Sequence, residues 1–500
     1  MLGTNGYPAD LKGSTAKVEA PHRSASNSSE NLLEIHPEWL GDHEFNETHG
    51  SRFSYVVGEM ARGIATPRMV IEAVKAGLVG FYGSAGLRPE TIAEGISEIE
   101  ASLGVGAPAW GANLIHSPQQ PGYERAVVDL FLARNVRRVS ASAFMALSPE
   151  IVRYSAAGLR KGPGDQVIRD THVFAKVSRA EVARAFMAPA SAPLLKELVA
   201  RGDITPEQAE LARRVPVAAD ITAESDSGGH TDNRPAGPLF SSLAQTRLEV
   251  ARDHAMSADL IRIGLAGGIG TPWAAAAAYQ MGAAYILTGS INQAAVESGL
   301  SVEGRQLLAE AGPADVAMTP AADMFEQGVE VQVLKRGTFF PMRGQRMRAI
   351  YKSRAGFADC TPDEQKFIET ALGESFSAAW EKTRTFLAGT NPDELQKAEN
   401  DPKRQLALVF RRYLFFGAQW AREGDASRLR DFQIWCGPAM GAFNEWVKGT
   451  PLEPLEARTV RQIAWNLLDG AARITRLQAM RASGMRVPPS AFDYRPGLFE

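Results

Sequence analysis

The sequence predicts an α/β fold: a (β/α)₈ TIM barrel with a mainly helical C-terminal region and a helical insertion. Three observations carry that prediction. Eight short β-rich runs alternate with helical segments between Ser54 and Leu300. Several of the intervening helices open with a hydroxyl cap followed by proline, at Thr66-Pro67, Ser148-Pro149, Thr205-Pro206 and Thr271-Pro272, where the missing proline N–H costs nothing. Two units, "GIATPRMVIEAVKAGLVGFYGS" and "GIGTPWAAAAAYQMGAAYILTGS", share the cap, the helix length and the glycine that stops the helix. They are one βαβ unit used twice.

Residues 1–50 are rich in Ser, Asn, Gly and His, with a single apolar island at "NLLEIHPEWL", and read as a mobile tail. Its four histidines (His22, His36, His43 and His49) match no helical metal motif and are expected to be solvated. From residue 51 to 300 the runs "SYVVGEM", "LVGFYGS", "AWGANLI", "RRVSASAF", "HVFAKVS", "VAADITAES", "IRIGLAGGI" and "AAYILTGS" supply the eight strands. Near-continuous apolar strands followed by helices imply a parallel sheet covered on both faces. Eight such units favour closure into a barrel over an open sheet. A helical insertion is expected at about 181–215. From 301 to 500 the periodicity is mainly helical, with one strand signal at "VEVQVLK".

The composition excludes several classes. The formal charge of −3 over 500 residues gives no electrostatic footprint for nucleic acid. Cys360 and Cys436 are the only cysteines, too few for a disulfide framework or a thiolate metal site. A reducing, cytoplasmic setting is expected. The N-terminus lacks a charged head leading into an apolar core, and "WAAAAAYQMGAAYIL" is broken by polar residues and glycine. No membrane segment is expected.

In a barrel of this kind the reactive groups stand on the loops that follow the strands. "DSGGH" leaves the sixth strand and should carry His230 across the mouth, with Gly228 and Gly229 allowing close backbone approach to a flat ligand. The loops after strands seven and eight, "LAGGIGTP" and "LTGSIN", combine glycines with a helix N-terminus and suit a phosphate. Glu59 and Met60 (strand one), Asn113 (strand three), Lys176 (strand five) and Glu224 (strand six) should line the rest of the ligand. An inward lysine is costly unless it meets an acceptor or a developing negative charge. Lys176 therefore either opposes the electron-rich end of a reduced flavin or forms a buried Lys–Glu pair that holds the barrel together.

At these residues the chain resembles the flavin-dependent nitronate monooxygenase and enoyl reductase superfamily. It resembles more closely the PfaD-type enoyl reductases of polyunsaturated fatty acid synthases and trans-acyltransferase polyketide synthases. The strings "DITAESDSGGHTDNRP", "GLAGGIGTPWAAAAAYQMGAAYILTGSINQ", "PAADMFEQGVEVQVLKRG" and "FQIWCGPAMGAFNEW" carry the closer match, over roughly residues 50–480. The resemblance implies an FMN-bearing barrel, NADPH or NADH as reductant, and enoyl thioesters on an acyl carrier protein as substrate. It implies that Gly267, Gly268, Ile269, Thr288, Gly289 and Ser290 hold the phosphate and that Asn113 and Lys176 meet the flavin. His230 would face the substrate and supply the proton. The chain departs from simple nitronate monooxygenases through "TDNRP" after His230, the 181–215 insertion and the long C-terminal region.

Two other readings stand beside this one: a nitronate monooxygenase-like flavin oxidase, and a non-catalytic protein that binds flavin or docks a carrier within a synthase. The stretch "KRGTFFPMRGQRMRAIYKSR", Lys335 to Arg354, holds seven Lys or Arg and no acid. It reads as a dock for an acidic carrier protein or its pantetheine phosphate, as a nicotinamide-phosphate site, or as a solvated face. Cys436, with no base near it in sequence, reads as a packed thiol. The helical region offers surface for a homodimer.

Overall fold

Each of the eight runs forms a strand: β1 Tyr55–Val57, β2 Val79–Tyr82, β3 Trp110–Ile115, β4 Arg138–Ser142, β5 His172–Val177, β6 Asp220–Glu224, β7 Arg262–Ala266 and β8 Ile286–Thr288. The computed structural model describes residues 34–117, 120 and 122–500. Consecutive strands pair in parallel. β8 pairs with β1, Tyr55 opposite Ile286 and Val57 opposite Thr288, and closes the barrel. The proline-led helices start where expected. Thr66, Ser148, Thr205 and Thr271 each accept a hydrogen bond from the backbone N–H three residues on, satisfying a donor that the first helical turn leaves free.

Side chains alternate across each strand, and this period decides what reaches the centre. On β5, Val173, Ala175 and Val177 face outward into the core shared with the helices. His172, Phe174 and Lys176 face inward, one above another. Phe174 joins Val56, Phe81, Tyr285 and Leu287 in an apolar middle layer. Below it lies a charged floor, and above it the polar mouth.

The floor corrects the reading of residues 1–50 as a mobile tail, and of His49 as a solvated histidine; His36 and His43 are exposed, as expected. From Ile35 onward the chain is built into the barrel, while residues 1–33, His22 among them, lie outside the described residues. The helix His43–His49 inserts Phe45, fully buried, against Tyr285, with ring centroids 4.6 Å apart. His49 is buried too. Its Nε2 lies 3.1 Å from Asp220 Oδ2, and its Nδ1 accepts from Arg138 Nε at 3.0 Å. Arg262 holds Asp220 with two bonds, at 2.7 and 3.1 Å. An amphipathic plug of one short helix has too weak a period to be read from sequence. The ring of His49 has no lone pair left, so the adjacent group His49, His172 and Asp220 is a charge-paired floor and not a metal site.

Burial pushes the His49 imidazole down to about 4, against the pull of Asp220 and with Arg138 and Arg262 adding to the effect. Between pH 6.5 and 4 the unfolded chain therefore binds the extra proton, and stability falls as pH falls through that window. The expected loss is about 3 kcal/mol, read as a lower urea midpoint at about pH 4.5 than at about pH 7. His49→Gln should flatten that dependence.

Between β5 and β6, across the stretch where an insertion is expected, lie three helices, Ala180–Met187, Ala192–Ala200 and Pro206–Ala212, of which the first packs on β5 and β6. The C-terminal region is mainly helical, and its second core gathers Phe325, Val331, Val333, Phe340, Met347, Phe410 and Tyr413. Its helix Val460–Ala482 packs on the barrel helix Pro272–Gln280, where Gly470 leaves room for Pro272. Two antiparallel strands, β9 Val316–Pro320 and β10 Glu330–Leu334, add the two-residue strand Gly229–His230 along β10. β10 is the expected "VEVQVLK"; β9 and the hairpin Leu159–Lys161 with Val167–Arg169 go beyond what the sequence signalled. Among the described residues, no helix is long and apolar enough to cross a membrane.

Candidate active site

Inward-facing strand ends and the loop residue Glu59 meet in a connected polar network at the mouth. Lys176 Nζ lies 3.1 Å from Glu59 Oε1 and 3.0 Å from Glu224 Oε1. Ser142 Oγ donates to the same Glu59 oxygen at 3.2 Å. Asn113 donates through Nδ2 to Ser142 Oγ and to the Ser140 carbonyl, each at 2.9 Å. Burial pulls the Lys176 ammonium down, but the charges of Glu224 and Glu59 outweigh it and hold the group above the ordinary lysine range. The structure thus shows the Lys–Glu arrangement directly, with two carboxylates where one was expected. Glu59 Oε2 is buried without a donor, an acceptor that a ligand N–H or O–H can satisfy. Met60 belongs to the outer core, and its carbonyl closes the loop by accepting from Ala65 N.

The glycine loops after β7 and β8 leave backbone donors open. Gly267 and Gly268 take left-handed backbone, φ 85° and 69°, which glycine adopts without a Cβ penalty. The N–H groups of Gly268, Ile269 and Gly270 on one loop, and of Gly289 and Ser290 on the other, find no acceptor among the described residues. A Cβ placed on Gly268 or Gly289 would meet nothing within 4 Å. Open space beside several unpaired N–H groups, next to the Thr271-capped helix, forms a cradle whose chemistry suits a phosphate. The side chains of this set do other work. Ile269 is core. Thr288 Oγ1 lies 2.6 Å from Tyr55 OH and accepts from Asn292 Nδ2 at 2.9 Å.

His230 stands on its short strand in the loop that leaves β6 at the same end of the barrel, 41% exposed, with Nε2 3.5 Å from Asp323 Oδ1. Although the protein packed around the mouth pushes the Asp323 carboxyl up, the hydrogen bond and charge of His230, with Arg62 beyond, hold it below the usual range. The reason for the two glycines before His230 differs from the expected ligand approach. A Cβ on Gly228 would sit 2.7–2.9 Å from the Cys436 backbone, and Gly229, at φ 86°, lies under the Trp435 ring. Both make room for the segment "DFQIWCGPAM", which roofs the mouth.

The roof and the adjoining β10 are tied to the exit loops. Gln293 Nε2 donates to the Trp435 carbonyl at 2.5 Å, Gly437 N donates to Ser290 Oγ at 3.0 Å, and Gln332 Nε2 donates to Asp226 Oδ1 and to the Ser227 carbonyl at 2.8 Å. Gly270 is bare because Ala439 O occupies the place of its Cβ. Cys436 is fully buried, and burial pushes its thiol up to about 12; it is a packed thiol.

The basic stretch is partly paired within the fold. Arg336 pairs with Asp315, Arg343 with Asp431, Arg348 with Glu330 and Arg354 with Glu364, and Arg346 stacks on Phe367. Lys335 and Lys352 are exposed with no carboxylate partner among the described residues. Sequence reasoning missed Ser142 and Asp323. The inward position of Ser142, two residues beyond Ser140 on β4, was the available signal; Asp323 gave none, lying far along the chain.

Residues 355–432 match the family described as [acyl-carrier-protein] S-malonyltransferase, inserted helical domain. The chain is 43% identical over 467 residues to a component of the polyunsaturated fatty acid synthase of Thraustochytrium sp. (strain ATCC 26185 / S-3), covering 91% of this chain and 31% of that protein. It is 39% identical over 449 residues to polyketide biosynthesis protein PksE of Bacillus subtilis (strain 168), covering 89% of this chain and 58% of the relative. The chain thus spans less than two thirds of either curated relative. Among solved structures, the enoyl reductase domain of MlnA from the macrolactin biosynthesis cluster of Bacillus amyloliquefaciens matches with a TM-score of 0.84 at 35% identity, over 89% of this chain and 99% of that one. With the closed barrel, the glycine cradle and the histidine-bearing sixth exit loop on one face, this chain belongs to the PfaD-type enoyl reductase family of polyunsaturated fatty acid and polyketide synthases.

Proposed function

We propose that the chain is an FMN-dependent enoyl reductase acting on α,β-unsaturated thioesters carried by an acyl carrier protein, with NADPH or NADH as reductant. The observation that carries the reading is the cradle of unpaired N–H groups after β7 and β8 with an exposed imidazole in the exit loop of β6 on the same face. The residues present fit the flavin: Gly268, Ile269, Gly270, Gly289 and Ser290 would hold its phosphate through backbone N–H groups. Glu59 Oε2 and the Lys176 and Asn113 side chains would meet its ring system. When bound, FMN supplies the hydride chemistry that side chains lack, between a nicotinamide and an enoyl β-carbon.

The chain's own residues supply charge and proton. Lys176, held protonated by two carboxylates, fixes positive charge at the centre of the mouth. His230 keeps Nε2 toward Asp323, which leaves Nδ1 without a partner among the described residues. Nδ1 is the atom from which a proton passes to the α-carbon as negative charge develops on the thioester. The names of the relatives, synthase components and a carrier-protein transferase insert, support a carrier-bound substrate.

The purified protein is expected to be yellow, to bleach on anaerobic addition of NADPH, and to regain its colour when crotonyl thioester is added. A colourless preparation that takes up no FMN from solution would remove the proposal.

A further inference from the structure

Two arginines at the rim of the mouth have no carboxylate partner among the described residues. Arg62 lies in the loop after β1, and Arg422 near the end of the long helix Pro402–Glu423. They are neighbours: Arg422 NH2 is 3.8 Å from the Cβ position of Gly63, the residue after Arg62. Neither guanidinium has a carboxylate oxygen within 4.0 Å among the described residues. Arg343, Arg348 and Arg354, by contrast, are each matched to an acid.

What surrounds the pair is aromatic and carbonyl. The Arg62 guanidinium lies over the Phe415 ring at 4.2 Å and the Trp435 ring at 5.6 Å, and its NH1 donates to the Phe415 carbonyl at 3.2 Å. Arg422 Nε is buried with no acceptor. Asp323, the acid whose field reaches Arg62, is engaged by His230. Burial pushes Arg62 down to about 10, with Asp323 opposing this and Arg422 adding to it. Arg62 also holds left-handed backbone at φ 58°, a conformation uncommon for a residue with a Cβ and enriched at functional sites. Two like charges set side by side at a conformational cost call for an anion.

We infer that Arg62 and Arg422 form a phosphate-binding site at the rim, distinct from the glycine cradle, which anchors the phosphate of an incoming substrate. Arg62 covers Trp435, and Trp435 lies over Gly229, next to His230, so the anchored molecule can reach down to the imidazole. A guanidinium fork matches phosphate oxygens in geometry as well as charge. The inference rests on the enoyl reductase reading for the identity of that substrate. Its phosphate belongs either to a phosphopantetheine thioester or to NADPH, and the test separates them.

Wild type, Arg62→Gln, Arg422→Gln and Arg422→Lys would be compared as full chains. KM would be measured for crotonyl-phosphopantetheine, for crotonyl-pantetheine lacking the phosphate, and for NADPH. Calorimetry would give the affinities for phosphopantetheine and NADPH without turnover. Each Gln variant should raise KM and Kd for one phosphate-bearing partner about tenfold, leave crotonyl-pantetheine unchanged, and leave the melting temperature at or above that of wild type. Arg422→Lys should recover part of the loss. A rise confined to phosphopantetheine assigns the site to the carrier arm, and a rise confined to NADPH assigns it to the nicotinamide nucleotide. Unchanged values for both, or a lowered melting temperature with unchanged affinities, overturns the site. If wild type reduces no crotonyl thioester, the enoyl reductase reading falls, while calorimetry still decides the anion site.

Discussion

His230→Ala should slow enoyl thioester reduction by about 10²–10⁴-fold, the range that a positioned general acid contributes, while the protein remains folded and keeps its flavin. The structure separates these effects cleanly. The strand Gly229–His230 is held to Val331 and Gln332 through backbone pairing, which alanine preserves. The imidazole itself is 41% exposed, and Asp323, its one charged neighbour among the described residues, is also open to solvent. Reduction of the flavin by NADPH, measured by stopped-flow before any thioester is added, should stay near the wild-type rate. Wild-type turnover by a fully flavin-loaded His230→Ala protein would exclude the histidine as proton donor.

Lys176→Met should destabilise the protein by about 3–5 kcal/mol at pH 8, because it strands two carboxylates around a vanished ammonium. Glu59 is almost wholly buried and Glu224 largely so. In wild type the raised lysine pKa means that this contribution is complete below the unfolded value near 10.5 and is lost only as pH rises through the folded one. In the variant the two acids face each other with no cation between them. Urea unfolding at about pH 8 reads the loss directly. Adding Glu224→Gln to Lys176→Met should recover part of it. An unchanged urea midpoint in Lys176→Met would show that the triad carries no net stability.

The barrel was legible because its signals are local. Thr66-Pro67 and Thr271-Pro272 announce helix starts by chemistry that needs no partner, and a strand such as His172–Val177 is bounded by what surrounds it in sequence. The mouth residues Asn113, Lys176 and Glu224 were legible for the same reason, since a polar side chain near the end of an apolar strand has one inward direction to take. What escaped was long-range. His49 reads as one more polar residue in a tail until Asp220 and Arg138, far along the chain, are placed beside it. The bare backbone at Gly228 looks like ligand clearance until Cys436 arrives to fill it. The segment from Lys335 to Arg354 looks wholly unpaired until Asp315, Glu330, Glu364 and Asp431 fold onto four of its cations.

The covering of the mouth by residues beyond 316 bears on how such chains can be shuffled. A gene fragment that ended near residue 300 would encode every barrel strand and both glycine turns, yet its histidine would dangle from an unpaired edge. A splice after the last barrel strand would part His230 from the strand it pairs with. The smallest heritable unit that keeps this mouth intact is therefore longer than the barrel.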